Sequence, residues 1–266
     1  MNAYGSFVAG LIAYGVMSMA PAANAAEPTL AISNEANAAV QRMGKTLAQE
    51  DVSFKAKTMR VYQDSDGDYL HIVHNINVLA ARPDKIAVTA TGDDGTTKLV
   101  YDGQQVSVFD AVDNKYAQVP MTGSLQHMLD GVSERLGVQF PLADLFGDDP
   151  TQSFLTGVIS GKEVDTDRID GVPCRHLFFT QSGATELELW VENNDRAVPR
   201  RLVITYRGLP GTPNFVAEFS DWNFQNRPSD AEFAFQPPAG ATKVDVANIG
   251  SGTLSGTIAP NAGGNK

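Results

Sequence analysis

Cys174 and His176 are the residues best suited to nucleophilic chemistry, since they stand two positions apart in the chain. A cysteine nucleophile needs a histidine that accepts its proton and a third group that orients the imidazole. No Asp or Asn is placed by the sequence to orient His176, and His127 falls on a separate mid-chain helix. The pattern therefore favours a strand histidine beside a buried thiol, and no catalytic residue is assigned. A hydrolase with an unrecognised site is the least favoured class of function.

Two further groups have the residue types of a metal site but lack its spacing. The run Asp64-Ser65-Asp66-Gly67-Asp68 resembles a calcium loop, yet Tyr69 replaces the glycine at its sixth position and Asn75 the glutamate at its twelfth. This run is therefore expected to form a polar hairpin turn. His71 and His74 are three apart on a predicted strand, so their imidazoles point to opposite faces and cannot share a zinc ion. We expect no metal and no cofactor.

The composition is that of a folded, soluble protein. Of 266 residues, 42% are hydrophobic and 19% are charged, close to the average of globular domains. The 20 Lys and Arg against 31 Asp and Glu give a formal net charge of −11, which repels phosphate backbones, so no nucleic acid partner is expected. The sequence also lacks the G-x-S-x-G, P-loop, H-E-x-x-H and G-x-G-x-x-G motifs. We therefore expect a protein that is not an enzyme.

The N-terminal segment indicates export. Residues 7–19 form an uncharged, largely apolar run too short to span a bilayer comfortably, followed by Pro21 and the small residues 23–26. This pattern predicts a signal peptide over residues 1–25, cleaved near Ala25, and a periplasmic location. The first six residues carry no Lys or Arg, which leaves a buried N-terminal helix as the alternative. Residues 26–247 are predicted to form one domain, and the Gly- and Ser-rich residues 248–266 a disordered tail.

Hydrophobic periodicity predicts the helices and strands that position these side chains. Ser33 is placed to cap a helix that runs to about Glu50. From Ser53 the period changes to two, and turn residues recur at short intervals, which predicts short antiparallel strands. Two helical segments interrupt them between about residues 122 and 156, and the second is expected to end at residues 147–150. The predicted fold class is therefore α+β: a curved antiparallel β-sheet forming an incomplete barrel of about ten strands, covered by an N-terminal helix and mid-chain lid helices.

The apolar residues of the predicted sheet and its helical cover form the candidate ligand-binding site. A curled sheet with a helical cover encloses an apolar cavity wherever the cover fails to fill it. The candidates share one face on each of several strands and on the first mid-chain helix: Leu70, Ile72, Ile76 and Val78; Leu125, Met128, Leu129 and Val132; Leu187 and Leu189; Leu202, Ile204 and Tyr206; and Phe215 and Phe219. Periodicity does not separate a fillable pocket from a filled core. A structural or partner-binding protein with a filled core is therefore the alternative to a binder of hydrophobic ligands.

Several short motifs occur in order along the chain. They are Ser-Phe-Lys-Ala-Lys at residues 53–57, Ala-Arg-Pro-Asp-Lys-Ile at 81–86, Leu-Val-Tyr-Asp-Gly at 99–103, Pro-Arg-Arg-Leu-Val-Ile-Thr-Tyr-Arg at 199–207, and Phe-x-Phe-x-Pro-Pro at 233–238. Together they resemble the LolA/LolB superfamily of periplasmic lipoprotein carriers and outer-membrane lipoprotein receptors, over about residues 36–246. More closely, the last two motifs are similar to a family of predicted periplasmic proteins of unknown function within that fold group.

The resemblance implies an incomplete barrel that is closed by helices and holds acyl chains. In the carriers, the Arg that precedes Pro in an Arg-Pro-Asn turn hydrogen-bonds the lid backbone in the closed state. The matching residue is Arg82, which the resemblance makes a candidate lid latch, although Asp84 stands where the carriers have Asn. The implied ligand is a hydrophobic small molecule, a lipid or a lipoprotein acyl chain. An envelope protein is a further expected partner, and the protein itself is expected to be a monomer and a non-catalytic carrier.

Overall fold

The computed structural model describes residues 32–136 and 140–245. The predicted signal peptide and C-terminal tail lie outside the described residues, so the predicted division of the chain into leader, domain and tail stays a prediction. The described residues contain one sheet of 12 strands. In chain order these are β1 Asp51–Gln63, β2 Tyr69–Ala81, β3 Lys85–Gly92, β4 Gly95–Tyr101, β5 Gln105–Asp110, β6 Lys115–Pro120, β7 Val158–Ile169, β8 Val172–Gln181, β9 Thr185–Glu192, β10 Pro199–Tyr206, β11 Asn214–Asn223 and β12 Thr242–Lys243.

The strand order across the sheet is β12-β6-β5-β4-β3-β2-β1-β11-β10-β9-β8-β7. Each chain half forms a meander of hairpins, and the β1–β11 pairing joins the two halves into one sheet. All neighbours are antiparallel except β12 and β6, which are parallel. Among the described strands, β12 and β7 form the two edges and do not pair with each other, so the barrel is incomplete. The predicted α+β class is confirmed, with 12 strands rather than about ten; β12 has only two residues, too few to show a period.

The N-terminal helix α1 covers residues Asn34–Leu47, and the predicted cap is confirmed: Ser33 Oγ accepts a hydrogen bond from Ala36 N at 3.2 Å. The helix ends three residues before the expected Glu50, because β1 already begins at Asp51. Its apolar stripe is buried against the sheet and contains Ala36, Ala39, Val40, Met43 and Leu47. This stripe forms part of the main hydrophobic core.

The mid-chain region has three helical segments rather than the two expected. They are α2 Leu125–Leu136, a 3₁₀ helix Ala143–Phe146 and α3 Pro150–Leu155. The second segment ends before residues 147–150 as predicted, but Asp149 and Pro150 also begin a third helix, which was not predicted. Asp149 Oδ1 accepts from the backbone N–H groups of Thr151 at 3.0 Å and Gln152 at 3.1 Å. Proline is favoured at the first helical position, where its missing N–H leaves no bond unmade.

The helices pack on one face of the sheet, called the inner face below, and the main core lies between the two layers. Strand side chains alternate between this core and the outer face, as the two-residue period predicts. In β9, Leu187 and Leu189 are buried in the main core, whereas Trp190 belongs to a second, smaller cluster on the outer face. Aromatic rings tie the layers together: Phe54 of β1 stacks on Trp222 with ring centroids 4.3 Å apart and contacts Phe146 of the 3₁₀ helix at 6.0 Å.

Candidate ligand-binding site

An apolar cavity of about 130 Å³ lies between the inner face and the helical segments. Its sheet side is formed by Thr58, Arg60, His74, Ile76, Val78, Ile86, Val88, Ala90, Leu99 and Phe215. Its cover is formed by Met128, Leu129, Phe140, Pro141, Leu142, Ala143 and Phe146. An engineered apolar cavity of about 150 Å³ stays dry and binds benzene, so this volume holds a small hydrocarbon group. As it stands, the cavity accepts part of an acyl chain rather than a whole one.

A larger and more polar cleft of about 350 Å³ lies beside the apolar cavity. The two share Leu129, Phe140, Pro141 and Ala143, so the segment 140–143 forms the wall between them. The cleft is otherwise lined by Asp130, Ser133, Asp144, Gln181, Thr185, Leu187, Ile204 and Tyr206. Displacing the segment 140–143 would therefore merge the two spaces into one binding site.

Small side chains on neighbouring strands account for the empty space. Ile76 of β2 is paired with Ala56 of β1 on one side and Ala90 of β3 on the other. One rung further, Thr58 of β1 is paired with Ala217 of β11. Residues in register on adjacent strands share a face, so the short side chains of Thr58 and Ala90, which line the cavity, leave room under the helical cover, and Ala56 and Ala217 beside them add no bulk. The empty space therefore depends on the register of β1, β2 and β3 with one another and of β1 with β11, which is distant in sequence.

One end of the apolar cavity carries polar groups. Thr58 and His74 are directly opposite each other on β1 and β2, and Arg60 lies on the next rung, beside Phe215 of β11. His74 Nε2 lies 2.6 Å from Asp94 Oδ1. Burial lowers the pKa of Arg60, partly opposed by the charges of Tyr206, Asp94 and Tyr62. A half-buried cation and an imidazole therefore stand at the end of an otherwise apolar space.

Gly92 makes room for the His74 ring. It is paired with His74 across the β2–β3 hairpin, and a Cβ atom at this position would collide with the Val73 carbonyl and the imidazole ring. Glycine is therefore required by the close approach of the two strands here, and the polar end of the cavity depends on it.

Arg82, in the turn between β2 and β3, joins the sheet to the helical segments. Its Nη1 donates to Gly147 O at 2.9 Å and to Phe146 O at 3.2 Å, and its Nη2 donates to Leu145 O at 3.1 Å. Its Nε donates to Leu47 O, the last residue of α1, at 3.3 Å. Carbonyls at helix ends lack partners within the helix, and the guanidinium satisfies them. Burial lowers the pKa of Arg82, partly opposed by the charge of Asp148.

The fifteen apolar candidates fall into three groups. Five line the apolar cavity, namely Ile76, Val78, Met128, Leu129 and Phe215, and Leu129 also lines the cleft together with Leu187, Ile204 and Tyr206. Five are buried in the packed core without lining either space, namely Leu125, Val132, Leu189, Leu202 and Phe219. The last two, Leu70 and Ile72, lie beyond the polar end on β2, where Leu70 is 39% exposed. These last seven line neither space. A hydrophobic period of two or 3.6 residues predicts which face of a strand or helix a side chain lies on, but not whether that side chain borders an empty space.

Several lining residues were missed by the sequence reasoning, chiefly Thr58, Arg60, His74, Ala90 and Phe140. Small and polar residues at inward positions look like poor core residues when a strand is considered alone. The space beside them becomes evident only when the strand register places Ala56, Ile76 and Ala90 side by side.

The residues with potential for catalysis lie away from the cavity. Cys174 is fully buried, its Sγ–H donates to Val172 O at 3.4 Å, and burial raises the pKa of the thiol. His176 stacks on Trp190 with ring centroids 4.0 Å apart, and its Nε2 lies 3.0 Å from Glu188 Oε2. Burial and carboxylate pairing disfavour a reactive thiolate beside a free imidazole. A structural role for both residues accounts for these contacts.

The residues with potential for metal binding form ordinary local structure. Asp64 Oδ1 accepts from the backbone N–H groups of Asp66 and Asp68, both at 2.9 Å, within the β1–β2 hairpin. The predicted polar hairpin turn is thus confirmed. Within residues 32–136 and 140–245, no group of three or more His, Cys, Asp or Glu side chains is arranged to hold a metal ion.

The sheet and its helical cover define the chain as an α+β protein with an incomplete barrel. The family model described as predicted periplasmic protein (DUF2092) matches residues 36–247. The chain belongs to this family, which confirms the predicted family and the predicted periplasmic location. None of the helices within the described ranges is long and apolar enough to cross a membrane.

Solved structures of similar architecture include lipoproteins. LprF from Mycobacterium bovis is 13% identical, covers 72% of this chain and 94% of its own, and has a TM-score of 0.46. The Mycobacterium tuberculosis lipoprotein LppX is 16% identical, with coverages of 70% and 94% and a TM-score of 0.43. A LolA superfamily protein from Nitrosomonas europaea is 15% identical, with coverages of 75% and 97% and a TM-score of 0.37. The comparison with curated proteins gave no match.

Proposed function

We propose that the protein is a periplasmic, non-catalytic binding protein for a lipid, an acyl chain or another hydrophobic ligand. The observation that carries this proposal is the apolar cavity between the inner face and the helical cover, next to a larger cleft. In a core packed to the usual density, side chains interdigitate with few voids larger than a water molecule. The empty space therefore favours a binder over a partner-binding protein with a filled core.

Burial of hydrocarbon supplies the binding energy. Each methylene moved from water into the cavity contributes about 0.8 kcal/mol, so an acyl chain of about ten methylenes gains about 8 kcal/mol before any cost of opening. No reacting group is required for this function. A protein that binds in this way can carry a water-insoluble group through an aqueous compartment, and delivery to an envelope protein is part of the proposal.

Ligand binding requires an open state. The segment 140–143 occupies the space between cavity and cleft, so a chain longer than a few methylenes must displace it. We infer that Arg82 acts as a latch for the closed state, because its guanidinium joins the 3₁₀ helix and the end of α1 to the sheet. Closure and ligand then compete for the same apolar surface, which is a population shift between two states.

Direct measurement of binding tests this function. The purified protein is titrated with a fluorescent fatty acid and examined by native mass spectrometry. We expect saturable fluorescence enhancement, displacement by unlabelled acyl chains, and a mass adduct of one hydrophobic ligand. Absence of both enhancement and adduct, in a protein that is folded by circular dichroism, would contradict the proposal and favour the partner-binding alternative.

A further inference from the structure

The cleft changes from polar to apolar along its sheet side. Gln181, Thr185 and Tyr206 are paired side by side at the ends of β8, β9 and β10, where they form a polar rung. The next rung on the same face is apolar, because Leu187 is paired with Ile204 there. A molecule that lies across both rungs therefore has its polar part beside the β8–β9 turn and its apolar part further along the sheet.

The Asp144 carboxylate lines this cleft. Desolvation by the surrounding protein raises its pKa to about 6, and no hydrogen bond or charge of the described residues opposes that effect. A ligand can reach the side chain from solvent, since Asp144 is exposed at the cleft. A carboxylate that has lost part of its hydration and gained no donor in the protein is stabilised by a ligand that supplies one.

The other polar groups of the cleft also accept hydrogen bonds. Asp130 on α2 is a second carboxylate, and its Oδ1 accepts from Gln126 Nε2 at 2.8 Å. Gln181 donates to Thr156 O at 3.1 Å through its Nε2, which leaves its side-chain oxygen as an acceptor. None of the described residues that line the cleft is Lys, Arg or His. This lining therefore repels an anionic group and attracts a group that donates hydrogen bonds.

The polar end of the apolar cavity, by contrast, already has its partners. His74 Nε2 lies 2.6 Å from Asp94 Oδ1. Arg60, whose charge also acts on Tyr206, has an interaction partner within the protein. Neither side chain therefore requires a polar group from the ligand, and the cleft is the better place for one.

We propose that the head of the ligand lies in the cleft, carries hydrogen-bond donors and no net negative charge, and contacts Asp144 and Tyr206. The inference rests on the proposed function and adds the chemical class of the head to it. A hydroxyl-rich head and an ammonium head share the required chemistry, because both donate to carboxylate and hydroxyl oxygens. The chain of the ligand reaches the apolar cavity once the segment 140–143 is displaced.

Four probes with one twelve-carbon chain and different heads test this preference. Monododecanoylglycerol, dodecylammonium, dodecanol and dodecanoate are titrated below their micelle concentrations by displacement of a fluorescent fatty alcohol. The titrations are made at about pH 7.5 and about 0.15 M salt, which screens the long-range attraction of any cation to this acidic protein. We expect the better of the first two probes to bind about tenfold more tightly than dodecanoate. The ranking of those two then distinguishes a hydroxyl-rich head from an ammonium head.

Substitution of Asp144 tests the cause of the preference. Asp144→Asn removes the charge and keeps the shape, so the affinity ratio of the better donor head to dodecanoate should fall at least about threefold, with dodecanol unchanged. Asp195→Asn is the matched control, because it makes the same change at an exposed position between β9 and β10 and should leave the ratio unchanged. If Asp144→Asn does not fold, Asp130→Asn removes the other carboxylate of the cleft, and the ratio in that variant decides the question.

The outcomes separate this inference from the proposed function. Dodecanoate binding as tightly as both donor heads, or a ratio that is unchanged in folded Asp144→Asn, would overturn the inference about the head and leave the proposed function intact. Failure of every probe to bind the unchanged protein would overturn both. A ratio that falls in Asp144→Asn and is kept in Asp195→Asn supports the inference.

Discussion

Among single residues, Arg82 is the one that both the sequence and the structure single out. The resemblance of its turn motif to that of the lipoprotein carriers points to this residue, and the structure surrounds its guanidinium with four backbone carbonyls, from the end of α1 and from residues 145–147. Arg60, by contrast, has no motif around it and was missed. The difference is that Arg82 stands in a recognisable turn, whereas the position of Arg60 beside a cavity depends on strands folded against it.

Removal of the Arg82 hydrogen bonds should destabilise the closed state. Arg82→Met keeps a long apolar stem but leaves the carbonyls of Leu47, Leu145 and Gly147 without this donor. We expect the free energy of unfolding to fall by about 2 kcal/mol or more, and fluorescent fatty acid to enter faster, because closure competes less well with ligand. Thermal melts and stopped-flow fluorescence measure both effects. With Arg42→Met as the control, unchanged stability and unchanged uptake in Arg82→Met would refute the latch.

Asp144 gives the protein a pH dependence of predictable sign. Desolvation raises the pKa of this carboxyl to about 6. A carboxyl that ionises less readily when folded destabilises the native state above about pH 6, and the penalty disappears as the pH falls toward about 4, the unfolded value. Asp144 is nevertheless exposed to water at the cleft, and solvent screening makes the effect on stability small.

Asp144→Asn should remove this penalty. We expect its melting temperature at about pH 7.5 to exceed that of the unchanged protein by about 1 to 3 °C, and the two to coincide near pH 4. Differential scanning calorimetry across this pH range measures the difference. A variant that is less stable at the higher pH, or equally stabilised at both pH values, would contradict this assignment.

Among the structural elements, the segment 140–143 is the feature that controls cavity size. Phe140 lines both the apolar cavity and the cleft, so its ring helps to separate them. Phe140→Ala should join the two spaces and allow longer chains to bind with less displacement of the wall. We expect tighter binding of a sixteen-carbon than of an eight-carbon probe, by a larger factor than in the unchanged protein. An unchanged chain-length dependence would show that Phe140 does not limit the cavity.

The long elements were predictable from the sequence, and the short ones were not. Helix α1 follows from Ser33 and its apolar stripe, and the second-half strands follow from alternation such as that of Leu187 and Leu189. Helix α3 was missed because Asp149 and Pro150 are turn residues as well as helix starters, and the helix has only six residues. β12 was missed because its pairing with β6, rather than any local pattern, makes it a strand.

For the molecule as a whole, the architecture was predictable and the cavity was not. Period, turn residues and motifs indicate an incomplete barrel with a helical cover, which the structure has. Whether the cover fills the barrel depends on which side chains become neighbours. Arg60 and Phe215 lie far apart in the chain, yet both line the cavity because β11 returns to pair with β1. No local sequence pattern predicts this strand pairing, which is why several of the apolar candidates line neither the cavity nor the cleft.

Filling the empty space is the sharpest test of whether it binds a hydrophobic ligand. Ala90 lines the cavity on β3, and Ala90→Leu places a larger apolar side chain into it. Ala87→Leu is the matched control, because the same change is made on the outer face of the same strand. Isothermal titration with a fatty acid should show affinity reduced at least about tenfold for Ala90→Leu, with equal or higher melting temperature, and no change for Ala87→Leu. Undiminished affinity in a folded Ala90→Leu protein would show that the ligand binds elsewhere.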